Sequence, residues 1–96
     1  MVTYPIAHAL APTIYNTTLT NGFTEYSQAL GIVRKFIIRC RTSATLQLAF
    51  SLGQSGTTYI TIPAGAAYWE DMIYANTTLY FQSPTAGVVA EVIGWG

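Results

Sequence analysis

Apolar and polar residues alternate with a period of two along most of this chain, and no segment of useful length shows the period of a helix. β-Branched and aromatic residues dominate these segments, and such residues favour strands because they pack well on a pleated surface. About eight alternating segments follow one another at the spacing typical of an antiparallel sandwich or barrel. They cover residues 14–20, 23–30, 32–41, 45–50, 57–62, 68–74, 77–83 and 88–95.

The pattern therefore predicts an all-β protein, and an antiparallel jelly-roll-like β-sandwich of about eight strands is the first choice of architecture. A seven-stranded immunoglobulin-like sandwich is the alternative. The Cys-Trp-Cys pattern of true immunoglobulin domains is absent from the sequence, which favours the jelly roll.

Turn-forming residues separate the predicted strands. Asn21-Gly22 predicts a hairpin between the first two strands, because Asn and Gly tolerate the positive φ angles of a type I′ turn. Gly31 and Asn76 are each expected to lie between two strands.

The start of the chain differs from the rest. Pro5 and Pro12 limit strand pairing there, because proline has no backbone N–H to donate. Residues 1–12 are therefore expected to form an extended N-terminal arm, and residues 13–96 a single β-sandwich domain.

The longest strand candidate, residues 32–41, has a clear division of faces. Successive side chains of a strand point to opposite sides of the sheet. The core side is expected to carry Phe36, Ile38 and Cys40, and the other side Lys35, Ile37, Arg39 and Arg41. This division argues against Cys40 as a nucleophile activated by its neighbouring arginines, because the thiol points away from both guanidinium groups.

Composition narrows the function. Hydrophobic residues make up 51% of the chain and charged residues only 8%, with no net charge. Because a surface with so few charges is poorly protected against association, we expect much of it to contact other protein chains. A neutral chain is not steered towards nucleic acid or an anionic membrane. The single cysteine rules out an intrachain disulfide, and no targeting segment or membrane span is evident.

Candidate chemistry is sparse. Glu70 and Asp71 are adjacent on a predicted strand, so they face opposite ways and cannot act together across a cleft. The only histidine, His8, lies in the expected arm. No cluster of histidine, cysteine or carboxylate side chains has the spacing of a metal site. We therefore expect no catalytic residues, no metal and no cofactor, and we do not expect an enzyme.

The basic and aromatic residues are better candidates for contacts. Lys35, Arg39 and Arg41 form a short basic stripe. The stripe is expected to pair with Glu25, Glu70 or Glu91 in the same sheet, or with acids of a neighbouring subunit. Aromatic residues crowd both faces of the second half, and rings left outside a core are typical of interfaces. The interface candidates are Tyr68, Trp69, Tyr74, Trp95, Arg39 and Arg41.

The second half of the chain also carries a family resemblance. The segments in question are Gly56-Thr57-Thr58-Tyr59-Ile60-Thr61-Ile62-Pro63-Ala64-Gly65, Tyr68-Trp69-Glu70-Asp71, Thr78-Leu79-Tyr80-Phe81-Gln82-Ser83 and residues 88–95. This succession of a strand, a Pro-Ala-Gly turn, an aromatic strand and an apolar last strand resembles small β-sandwich structural proteins of tailed bacteriophage particles. Among such proteins are capsid decoration (cement) proteins and accessory pieces of the head–tail machinery and fibres.

The resemblance implies a structural role in the virion. A capsid decoration protein would contact the major capsid protein or other virion proteins, and it would form a homo-oligomer, with three copies as the first guess. The alternative is a receptor- or glycan-binding module of a fibre, which would use exposed members of the aromatic set.

Overall fold

In the computed structural model, which describes residues 12–96, every regular element is a β-strand. The six strands are β1 (Thr13–Leu19), β2 (Tyr26–Cys40), β3 (Leu46–Ala49), β4 (Ile60–Ile62), β5 (Ala67–Gln82) and β6 (Val88–Trp95). The all-β prediction is therefore confirmed. The described residues contain no helix that is long and apolar enough to cross a membrane.

The strands form one antiparallel sheet in the order β1-β6-β2-β5-β3-β4. The two longest strands, β2 and β5, pair with each other from Tyr26↔Phe81 to Arg39↔Ala67. The other strands attach to the two ends of this ribbon. β6 lies beside residues 35–40 of β2, and β1 pairs with the far side of β6. β3 lies beside residues 80–82 of β5, and β4 pairs with the far side of β3. We call the part with β1 and β6 the β1–β6 half-sheet and the part with β3 and β4 the β3–β4 half-sheet. Each half-sheet includes the adjoining end of the β2–β5 ribbon.

The expected number of strands was wrong for residues 12–96, because two predicted breaks lie inside strands. Gly31 has a φ of 71° at a register shift within β2, where the chain bulges and pairing continues. Asn76 pairs with Ile32 inside β5. A bulge leaves one residue unpaired and bends the strand without ending it, so it mimics a turn in the sequence.

A second bulge lies in β5, a few residues along the ribbon from the first. Pairing steps from Val33↔Ala75 to Lys35↔Asp71, so three residues of β5 lie opposite one residue of β2. Tyr74, within this bulge, has a φ of 46°, which is unusual for a bulky residue. The ribbon is thus bent where the two half-sheets meet.

The core lies against one face of the sheet, which we call the inner face. On β2, Phe36, Ile38 and Cys40 are buried in the core, as the alternation predicted, and Leu30 and Val33 of the same strand join them. Leu19 on β1 and Leu46 on β3 have no exposed surface, although they lie in opposite half-sheets. Because a flat single sheet would leave them open to water, we infer that the half-sheets bend towards each other over this core.

The predicted hairpin at Asn21-Gly22 does not form. β1 pairs with β6, which lies between β1 and β2, so the chain turns here and passes across to another part of the sheet. Gly22 serves a different purpose from the one expected. A Cβ atom at this position would lie 2.8 Å from the backbone oxygen of Pro84, so glycine permits a close approach of two loops.

A hydrogen-bond network ties the loop after β3 to the start of β2. The carboxylate of Glu25 accepts hydrogen bonds from the Gly53 N–H (2.7 Å), the Ser55 N–H (3.0 Å) and the Ser55 hydroxyl (2.6 Å). Partial burial alone would raise the pKa of Glu25, but the bonds from Ser55 and Gly53 prevail and lower that pKa. Glu25 therefore fixes a loop, and it is not available to the basic stripe.

The predicted extended arm, residues 1–12, lies outside the described residues apart from Pro12, so it stays a prediction.

We expect Gly22→Ala to lower the free energy of unfolding by about 1–2 kcal/mol, because the added methyl group collides with backbone rather than with a flexible side chain. Urea denaturation measures the change. Gly96→Ala is the control, since its Cβ would lie 3.7 Å from the nearest atom, an ordinary contact. Equal stability of the two variants would contradict the close approach at Gly22.

Candidate functional site

The solvent-facing side of the β1–β6 half-sheet, here called the outer face, carries an apolar row. Cross-strand pairing places Ile14 beside Ile93, Ile93 beside Ile37, and Ile37 beside Trp69. Ile14 is 64% exposed and Trp69 is 56% exposed, at the two ends of the row. Four neighbouring strands thus align large hydrophobic side chains in one line, with Ile37 and Ile93 half-exposed between the exposed ends, and contiguous apolar patches of this kind are typical of contact surfaces.

A charged row runs beside the apolar row. Pairing aligns Asn16, Glu91 and Arg39 on β1, β6 and β2. Arg39 Nε donates to Glu91 Oε1 at 2.9 Å, and Arg41 Nε donates to Glu91 Oε2 at 2.8 Å. The bond from Arg41, followed by the bond from Arg39, lowers the pKa of Glu91 against a smaller effect of desolvation. Both carboxylate oxygens therefore have a cationic donor.

On the other side of the apolar row lies a row of Trp95, Lys35 and Asp71. The Lys35 ammonium group lies 5.0 Å from the ring centre of Trp95 and 5.8 Å from that of Trp69. These distances allow cation–π attraction to both indoles. The predicted basic stripe is thus divided, since the arginines bind Glu91 and Lys35 lies over the tryptophans.

The outer face also contains a hollow. A shallow pocket of about 250 Å³ opens between the apolar row and the charged row. Its lining residues are Ile14, Asn16, Ile37, Arg39, Glu91 and Ile93. The pocket is mostly apolar with a charged rim, so it suits a large side chain that has a polar edge.

The remaining interface candidates lie elsewhere. Tyr68 is half-buried on the inner face, where its ring packs near Phe36 and Phe50. Its hydroxyl donates to the Glu70 carboxylate, and this bond raises the pKa of Tyr68 to about 12. Tyr74 projects from the bulge of β5 and is 73% exposed. The structure therefore brings together Trp69, Trp95, Arg39 and Arg41, but not Tyr68 or Tyr74.

The side chains considered for chemistry lie apart. Cys40 is buried while Arg39 and Arg41 are exposed, as the alternation predicted. Glu70 faces inwards with Tyr68, and Asp71 lies on the outer face beside Lys35. Within residues 12–96, no three histidine, cysteine or carboxylate side chains lie close enough to share a metal ion. His8 lies outside the described residues.

Sequence reasoning missed the isoleucines of the apolar row. Alternation places Ile37 on the same side as Lys35 and Arg39, but for Ile14 and Ile93 the pattern predicts only that they lie in strands. A signal existed, because each isoleucine lies at an outward position of its own strand. The missing information was the pairing of β6 with both β1 and β2, which aligns residues far apart in sequence.

Comparisons with known proteins bear on the fold. No protein-family model matches the chain, and no significant sequence match to a curated protein is found. The fold is similar to the solution structure of a de novo designed double-stranded β-helix, with a TM-score of 0.55 and 12% identity over 88% of this chain and 97% of that one. It is also similar to the crystal structure of a protein of unknown function (DUF1255) from Acinetobacter sp. ADP1, with a TM-score of 0.50 and 10% identity over 88% of this chain and 69% of that one.

We expect an NMR titration of the Glu91 carboxyl to give a pKa below that of an ordinary glutamate. Arg41→Gln should raise it more than Arg39→Gln does, because the bond from Arg41 lowers the pKa most. Since the folded-state pKa is depressed, the ion pairs stabilise the fold above the unfolded-state pKa. That contribution is lost as pH falls through the folded-state pKa.

Arg34→Gln is the control for this titration, because Arg34 Nε donates to the Gly96 carbonyl at 3.3 Å and not to Glu91. An unchanged Glu91 pKa in both the Arg39 and Arg41 variants would contradict the charged row.

Proposed function

We propose that this chain is a structural protein of a bacteriophage particle, of the capsid decoration (cement) type, which acts through protein–protein contacts. The observation that carries the proposal is the apolar row, where four strands expose large hydrophobic side chains in one line. Patches of this kind on small proteins mark interaction sites. The resemblance of residues 44–96 to phage structural proteins supplies the biological setting.

The proposed architecture is a jelly-roll-like sandwich. The bent β2–β5 ribbon, with two strands attached at each end, supports it, since a jelly roll also rolls a long antiparallel ribbon into two facing sheets. The likeness to a double-stranded β-helix points the same way. Such a block is rigid, and a rigid block loses little conformational freedom when it binds.

The proposal includes no enzymatic activity. Three acidic side chains of the described residues already bind partners within the fold: Glu25 holds a loop, Glu70 accepts from Tyr68, and Glu91 bridges two arginines. The Cys40 thiol is buried. Groups bound in this way support the fold, so they favour a structural role over catalysis.

The proposed mechanism is the addition of interface across a seam between subunits of the head. Each copy would contact the major capsid protein or another virion protein, and a standard interface of this kind buries about 1,600 Å² in total. Many symmetric copies would multiply the effect, and further contacts between copies make a homo-oligomer part of the proposal. The protein would be made in the bacterial cytoplasm and would act in the virion.

Tyr74 is the candidate for the contact with the particle. Its ring is largely exposed, and its backbone has a positive φ that a bulky residue adopts at some cost in free energy. The exposed ring therefore adds little to the stability of the fold. A strained residue that adds little to stability is a candidate for function.

An exposed ring can stack on a sugar. Tyr74 therefore also supports the alternative function, a receptor- or glycan-binding module. A glycan array together with tyrosine and tryptophan fluorescence would distinguish the two. Specific quenching by one class of sugar would favour the fibre-type module.

We expect the purified protein to bind particles that lack it and to raise the temperature at which they release their genome. Tyr74→Asn should bind at least about tenfold more weakly, because it removes the ring and keeps a residue that tolerates positive φ. Sedimentation of the protein with particles measures binding.

The same substitution at Tyr59, in the loop before β4, is the matched control and should bind like the unaltered protein. No binding of the unaltered protein would contradict the proposed function. Equal binding by both variants would leave the function standing and remove Tyr74 from the contact.

A further inference from the structure

We propose that the partner of the outer face is a second copy of this chain, in a dimer whose two-fold axis runs parallel to the strands between β6 and β2. The inference rests on the proposed function, because it names the occupant of the same contact surface. The observations that carry it are the order of residues within each row, the hollow beside the apolar row, and the size of the face.

A two-fold axis along the strands has a simple consequence for face-to-face packing. It places β6 over β2 of the second copy and β1 over β5 of the second copy, while each row stays opposite itself. The strands of the two faces remain aligned, which is one of the two common ways in which sheets pack.

The apolar row is self-complementary under this rotation. Ile93 comes to lie opposite Ile37 of the second copy, and Ile14 lies opposite its Trp69. The pocket of about 250 Å³ is lined by residues of β1, β6 and β2, so Ile37 of the second copy arrives over it and the Trp69 ring of the second copy arrives at its Ile14 edge. One end of the row therefore supplies an aromatic ring, and the other end supplies the exposed Ile14 against which that ring packs.

The charged row selects this orientation. With the axis along the strands, Glu91 of each copy faces Arg39 of the other, so opposite charges meet twice. An axis across the strands would keep β2 over β2 and would place Arg39 opposite Lys35 of the second copy. Like charges opposed in this way disfavour an interface, so only the first arrangement is complementary.

The third row fits the same arrangement. Trp95 on β6 comes to lie opposite Lys35 on β2 of the second copy. Within one chain this ammonium group already lies 5.0 Å from the Trp95 ring centre. The dimer would place two lysines and two indoles together, which extends the cation–π contact across the interface.

The size of the outer face indicates a reversible dimer. Four strands and three rows of outward residues measure about 19 Å by about 20 Å, or about 400 Å² per copy. Two copies would bury about 800 Å² in total, which is in the range of weak, transient contacts. Because the chain has no net charge, no long-range repulsion opposes the encounter of two copies.

Self-association leaves other exposed side chains for the particle. Phe23, Leu52 and Tyr74 are the most exposed large hydrophobic residues of the described chain, and none of them lies in the three rows. The two contacts can therefore coexist.

Sedimentation equilibrium of the full chain from micromolar to millimolar concentration tests the inference. We expect the unaltered protein to show a monomer–dimer equilibrium. Ile37→Lys should weaken it at least about tenfold, because it places a charge at the centre of the apolar row. Ile32→Lys is the matched control, since Ile32 is an exposed isoleucine of the same strand that lies between the two bulges, outside the three rows.

Complementary charge variants separate a contact between copies from one within a copy. Arg39→Glu alone and Glu91→Arg alone each oppose like charges, both within the chain and across the interface. In an equal mixture of the two variants, only the contacts across the interface become attractive. We therefore expect the mixture to dimerise more strongly than either variant alone.

Three results would overturn the inference: a monomer at every concentration, equal weakening by both isoleucine variants, or a mixture no stronger than its components. A monomer that still binds particles would overturn only the dimer. A dimer that binds no particles would overturn only the proposed function.

Discussion

The bend in the paired β2 and β5 strands is the constraint on which the rest of the structure depends. These strands supply the long ribbon, and the bulges at Gly31 and at Tyr74 lie where its two half-sheets meet. If the ribbon were straight, Phe36 and Phe81 would each lie on one open face with water beside them. Because it bends, both are buried in one core.

The same bend divides the molecule into an inner face and an outer face. Side chains alternate between these faces, so the residues that complete the core also determine which residues remain outside. Phe36 and Ile38 turn inwards, and Ile37 between them must turn outwards. The apolar row is therefore a direct consequence of the alternation, combined with apolar residues at outward positions. Its exposure has no use in the fold of one chain, and the proposed contact with another copy would account for it.

Local pattern predicted much of the fold and part of the site. The faces of residues 35–41 followed from alternation, since burial there requires only the parity of neighbouring residues. The strand boundaries predicted at Gly31 and Asn76 were wrong, because residues that favour turns also occur at bulges and inside strands. The hairpin predicted at Asn21-Gly22 was wrong for a related reason: a close approach of two backbones requires glycine as much as a hairpin does. The row from Ile14 to Trp69 could not be predicted, because it depends on three long-range pairings that no local pattern encodes.

The central claim is that the outer face is buried against a second copy, and hydroxyl-radical footprinting at increasing protein concentration tests it most directly. Labelling of Trp69 and Trp95, which lie in the rows, should fall as the concentration rises. Labelling of Tyr74 and Phe23, which lie outside them, should stay constant. Labelling of the two tryptophans that does not depend on concentration, or protection of all four rings alike, would contradict the claim.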